Sequence, residues 1–115
     1  VRETEEFGML DGTEFIMESS TASAVDASAP TRFWYSENDG LVWGNYVGDT
    51  VTEGRFVGER RDRTLTVHFI HTLKSDGSHV GGSSTSRIDG EPGSLRLVED
   101  FVIDGAEHVS VCTQV

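Results

Sequence analysis

Turn-forming residues punctuate this chain at short intervals from residue 31 to its end. Asn38-Asp39-Gly40, Gly48-Asp49, Asp76-Gly77, Gly90-Glu91-Pro92-Gly93 and Asp104-Gly105 each combine glycine with polar neighbours. Glycine suits such places because tight hairpin turns need positive φ. The runs between them are rich in Val, Thr, Phe, Ile, Trp and Tyr, which fit a pleated surface. No helical stripe of apolar residues interrupts them. The pattern predicts eight strands, at 13–20, 31–37, 41–47, 50–58, 63–73, 78–88, 94–103 and 106–114. Short links make sequential strands pair antiparallel. An even count lets the last strand close on the first, which removes exposed edges. The expected fold is an all-β, antiparallel, up-and-down barrel of about eight strands. Its interior is filled by side chains or holds one small ligand.

The 115 residues suit one domain. Residues 1–12 are acidic and read as an N-terminal arm or cap, with Phe7, Met9 and Leu10 able to tuck it against a barrel at 13–115. The Ser/Ala-rich stretch 21–30 reads as a loop. Net charge is −11, which opposes binding to nucleic acid and to anionic membranes. No apolar run approaches the ~20 residues that span a bilayer, and no leader is visible, so a cytoplasmic place is expected. Arg60, Arg61 and Arg63 form the basic cluster, read as a solvated turn, with an anion site as the alternative. Cys112 is the single cysteine and reads as a buried, inert thiol.

Strand 63–73 alternates most clearly. Leu65, Val67, Phe69, His71 and Leu73 share one face, which is taken as the interior. A two-residue Asp76-Gly77 turn would set Leu73 against Val80, His71 against Gly82, Phe69 against Ser84 and Leu65 against Ile88. Gly82, Ser84 and Ser86 then face inward and leave room for a ligand. A three-residue turn at Asn38-Asp39-Gly40 would pair Tyr35 with Trp43 and Phe33 with Asn45. Phe33, Tyr35, Trp43 and Phe56 would then form an aromatic interior wall, either core or a stacking surface for a flat ligand. The same register leaves Val42, Tyr46, Val51 and Val57 as an outward patch suited to a homodimer.

Strand 94–103 puts Glu99 on the face that carries Leu95, Leu97, Phe101 and Ile103. A buried carboxyl needs a partner or a raised pKa. His71 is the candidate partner, in a structural or a catalytic pair. A two-residue Asp104-Gly105 turn would place His108, Ser110 and Cys112 inward; a three-residue turn would instead bury Val109 and Val111, and is preferred for that reason.

Much familiar chemistry has no counterpart in the sequence. His68 and His71 face opposite sides of one strand, so metal-ligand spacing is weak. Neither Gly-x-Ser-x-Gly nor a Walker loop nor Gly-x-Gly-x-x-Gly occurs. No cofactor is expected.

The run Phe33-x-Tyr35, then Leu41-Val42-Trp43-x-x-Tyr46-x-Gly48-x-x-Val51-x-x-Gly54-x-x-x-Gly58, resembles a family of small bacterial β-barrel proteins. Its members often carry the name N-acetylglutamate synthase. Leu65, Phe69 and His71 fit the next strand of that family, and Leu95-Arg96-Leu97-x-Glu99-x-Phe101 fits a late one, with Phe101 where Trp is more usual. The resemblance covers about 13–115 and implies a calycin-like barrel. It does not carry the acetyl-transfer activity of the name. Acetyl-CoA transferases commonly hold pyrophosphate at a Gly-rich turn opening a helix, and Arg55-x-x-Gly58 runs on to Glu59 and Arg60 without a further glycine.

Three readings follow. The first is a barrel binding a small apolar or aromatic ligand through Phe33, Tyr35, Trp43, Phe56, Phe69, His71, Gly82, Ser84, Glu99 and Phe101. The second is a small isomerase or cyclase in which His71 and Glu99 exchange protons and Tyr35 acts as a donor. The third is an interaction protein with a packed core.

Overall fold

The computed structural model describes residues 8–22, 25–103 and 105–115. Eight strands run β1 Glu14–Ser20, β2 Arg32–Asn38, β3 Leu41–Gly48, β4 Val51–Arg61, β5 Thr64–Leu73, β6 His79–Asp89, β7 Arg96–Ile103 and β8 Ala106–Gln114. Each pairs antiparallel with the next, and β8 closes on β1. The expected strands therefore form, in the expected meander.

Four hairpin registers differ from the sequence expectation. At β3–β4 the expected Gly48-Asp49 turn, which would set Trp43 beside Gly54 and Leu41 beside Phe56, gives way to Gly48 paired with Val51 and Trp43 with Val57. The first in chain order lies between β2 and β3. Asn38 pairs with Leu41, so the link is the two-residue Asp39-Gly40. Asp39 takes φ 53° and Gly40 φ 84°, both in the left-handed region, as a turn matching the strand twist requires. One residue fewer in the link reverses every side chain of β3. Trp43 points outward and is 42% exposed, while Val42 and Tyr46 are buried. Val51 is buried too. The proposed outward patch therefore retains only Val57, and Trp43 is not part of the interior wall.

Between β5 and β6, His71 pairs with Val80 and Phe69 with Gly82. Lys74, Ser75, Asp76 and Gly77 make a four-residue link, closed by bonds from Leu73 N–H to the Ser78 carbonyl (2.9 Å) and from Gly77 N–H to the Leu73 carbonyl (3.0 Å). Asp76 Oδ1 accepts from Ser78 N–H at 2.9 Å and fixes the bend. The register moves by two residues, so the faces are kept. Between β7 and β8, Ile103 pairs with Ala106, the two-residue alternative. Ser110 and Cys112 are buried, and Val109 is exposed, against the preferred apolar-in version.

One end of the barrel is plugged. Met9 and Leu10 are buried in the core, with Leu10 fully so. Met9 and Leu10 belong to the stretch 1–12 read as an arm or cap; Phe7 lies outside the described residues. Leu10 N–H donates to Glu37 Oε1 at 3.2 Å, and Gly12 N–H donates to the Tyr35 carbonyl at 2.9 Å. Beneath the plug, Arg60 Nε donates to both oxygens of Glu37 at 2.9 and 2.8 Å. The Arg60 and Glu37 side chains are 9% and 0% exposed. Arg60 is therefore a buried ion-pair member rather than part of a solvated turn. Arg61 is exposed, as expected of that turn. Leu65, Ile88, Leu95 and Leu97 complete this packed end.

Candidate functional site

The other end opens into a cavity of about 330 Å³. Ala22, Asp49, Thr50, Leu73, Val80 and Ile103 lie around its mouth, at the β1–β2, β3–β4, β5–β6 and β7–β8 connections. The interior is therefore not packed along its whole length.

The aromatic wall owes its geometry to glycines on neighbouring strands. Tyr46 pairs across the sheet with Gly54, Phe56 with Gly44, and Phe69 with Gly82. A Cβ on Gly54 would lie 2.4 Å from the Tyr46 ring; one on Gly44 would meet the Trp34 carbonyl and lie 2.5 Å from Phe56, and one on Gly82 would meet the Val102 carbonyl and lie 2.8 Å from Phe69. Each ring lies over backbone that carries no side chain. Rings flattened against the wall leave the centre of the barrel open. Gly82 thus makes room for Phe69, not for a ligand, and it does not line the cavity.

The rings also touch one another. Phe33 stacks on Tyr46 at 5.1 Å, and Tyr35 leans on Phe56 at 4.7 Å. Phe69 meets Phe101 edge-on at 6.3 Å. These contacts hold the wall in the separations that aromatic pairs favour. Of the residues proposed from sequence, Phe33, Tyr35, Phe56, Phe69, His71, Ser84, Glu99 and Phe101 line the cavity, whereas Trp43 and Gly82 do not.

Two polar centres interrupt this surface. On the β3–β5 side, the Tyr46 hydroxyl and His71 Nδ1 share a hydrogen bond of 2.7 Å. Burial lowers the His71 pKa, and burial raises that of Tyr46 beyond the range where it ionises. His71 also stacks on Phe69 at 6.1 Å. On the β6–β8 side, Glu99 is 9% exposed. Its Oε1 accepts from Ser110 Oγ at 2.8 Å and from Cys112 Sγ at 3.7 Å. Ser86 is its register partner on β6, and its buried hydroxyl faces the same carboxyl. Burial pushes the Glu99 carboxyl up, and hydrogen bonds from neighbouring side chains, Ser110 first, oppose the shift. Burial likewise raises the Cys112 thiol, as an inert sulfhydryl requires. No hydrogen bond or ion pair joins His71 to Glu99 among the described residues. The two line one cavity with different partners.

Tyr46 and Ser110 are among the polar lining residues that sequence reasoning left out of the site, with Ser20, Thr31, Asp49 and Thr50. An Asp-Gly pair is itself a complete two-residue hairpin link, and reading Asp39-Gly40 that way brings Tyr46 inward. Ser110 would have followed from asking what could solvate a buried Glu99.

A family model described as avidin-like protein matches residues 9–115, nearly the whole chain. No curated protein and no solved structure gives a significant match.

Proposed function

Since this chain belongs to the avidin-like protein family, we propose that its open barrel binds one small, largely apolar molecule in the lumen. The observation that carries this reading is the cavity of about 330 Å³, walled by aromatic rings and furnished with a few convergent polar groups. Its plugged end supplies a floor and its loop end an entrance. The finer likeness, to barrels called N-acetylglutamate synthase, contributes the barrel and no acetyl-transfer step.

The neutral fluorophore N-phenyl-1-naphthylamine tests the reading. Its emission should rise on titration and saturate at one molecule per chain. Emission that fails to saturate, or stays at its level in buffer, would sink the reading.

A second reading rests on Tyr46–His71 and Glu99 facing one lumen. In it the barrel is an isomerase or cyclase, His71 and Glu99 exchange protons with the bound molecule, and Tyr35 donates to it. On any substrate found, turnover unchanged in both His71→Ala and Glu99→Gln would exclude that reading.

A homodimer remains part of the proposal, with a different face. The exposed Leu41, Trp43, Val57 and Ile70 lie on β3, β4 and β5, and Trp43 pairs with Val57 in the sheet register. Light scattering should show a dimer that Trp43→Arg dissociates; a wild-type monomer at high concentration contradicts it.

A further inference from the structure

We propose that the lumen selects an organic cation, an amine with an aromatic or aliphatic body, whose ammonium group pairs with Glu99. The proposal rests on the lumen-binding reading and names its ligand class.

Three observations converge. First, Glu99 is a buried carboxyl that lines the cavity. Second, the groups around it are hydrogen-bond donors: Ser110 and Cys112 donate to its Oε1, and the buried Ser86 hydroxyl opposite acts on the same carboxyl. Donors of this kind solvate a carboxylate, yet among the described residues no Lys or Arg lines the cavity to balance its charge. Third, the walls present aromatic faces, whose negative π-surfaces attract a cation that has left water. Phe33, Tyr46, Phe56, Phe69 and Phe101 supply them.

The other titratable groups fit the same selection. Burial lowers the pKa of His71, on β5, and raises those of Tyr35 and Tyr46, on β2 and β3, so each shift favours the uncharged form. Cys112 on β8 stays a thiol. Asp49 adds negative charge at the mouth, and the whole chain carries −11. That field draws cations toward the opening and repels carboxylates. Burying an ion pair is costly, so the gain depends on both partners being well solvated by donors and rings. Here the protein supplies the carboxylate and its donors, and the ligand supplies the missing cation.

Calorimetry with three matched probes tests the proposal: 2-(1-naphthyl)ethylamine, 2-(1-naphthyl)ethanol and 1-naphthylacetic acid. The amine should bind at least tenfold more tightly than the alcohol, and the acid most weakly. Glu99→Gln, which keeps an acceptor for Ser110, should abolish the amine's advantage over the alcohol. The three-probe comparison in wild-type protein needs no variant. If the alcohol equals the amine, or the amine keeps its advantage in Glu99→Gln, the cation proposal fails while the lumen-binding reading stands. If none of the three binds and N-phenyl-1-naphthylamine also fails to saturate, both fail together.

Discussion

Glu99 and His71 show how far one residue's surroundings decide its chemistry. Each sits on an inward face that alternation identifies, and each was expected to find the other. The structure gives Glu99 to Ser110 and Cys112, and His71 to Tyr46. The faces were legible because strand periodicity is strict; the pairing was not, because it depends on the registers of β3 and β8. Burial raises the Glu99 pKa, so folding opposes its ionisation. Its contribution to stability is therefore complete at low pH and is lost as pH rises from the ordinary carboxyl value of ~4.3 through the folded value. A Glu99→Gln variant has no such loss. Its melting temperature relative to wild type should rise as pH goes from about 4 to 7; a constant difference would contradict the buried, disfavoured carboxylate. His71 has the opposite sign, since burial lowers its pKa. It favours the fold above the ordinary histidine value, and that contribution fades as pH falls through the folded one.

At the scale of elements, the hairpin links govern everything on their strands. The strands themselves were legible from the spacing of Gly, Asn and Asp, and the eight observed elements lie close to the expected ranges. What misled was a preference for burying Trp43, Val109 and the apolar side of each run. Between β2 and β3 and between β7 and β8 two-residue links prevailed, because the twist of such turns matches that of the strands, whereas the β5–β6 link runs to four residues. At Gly40, φ is 84°, so Gly40→Ala should destabilise the protein by about 1–2 kcal/mol, read by denaturant unfolding. The glycine-under-ring pairs are a second device at this scale. A Cβ at Gly54 meets the Tyr46 ring at 2.4 Å, so Gly54→Val must push that ring into the lumen. The variant should lower both melting temperature and affinity for N-phenyl-1-naphthylamine. Unchanged affinity in a destabilised Gly54→Val protein would mean that the ring is not what shapes the chamber.

The whole molecule is a barrel plugged at one end and open at the other, and that polarity was only half readable. Hydrophobic Met9 and Leu10 beside an acidic stretch suggested a cap. The Glu37–Arg60 pair under it could not be foreseen, since two residues 23 apart meet only when β2, β3 and β4 take their registers. Glu37→Gln removes the buried carboxylate that accepts from Arg60 and from the Leu10 N–H, and should lower stability in denaturant unfolding. That change lies at the plugged end, so ligand affinity at the open end should survive wherever the variant remains folded. No helix among the described residues is long and apolar enough to cross a membrane. The central claim is that the interior, and not the outer sheet face, is where a small molecule sits. The most direct measurement is N-phenyl-1-naphthylamine titration of wild type beside Ser84→Trp, which fills the lumen, and Trp43→Ser, which changes only the exterior. Wild type and Trp43→Ser should saturate alike, and folded Ser84→Trp should lose binding. Binding that survives in Ser84→Trp, or vanishes in Trp43→Ser, would contradict an open, ligand-holding lumen.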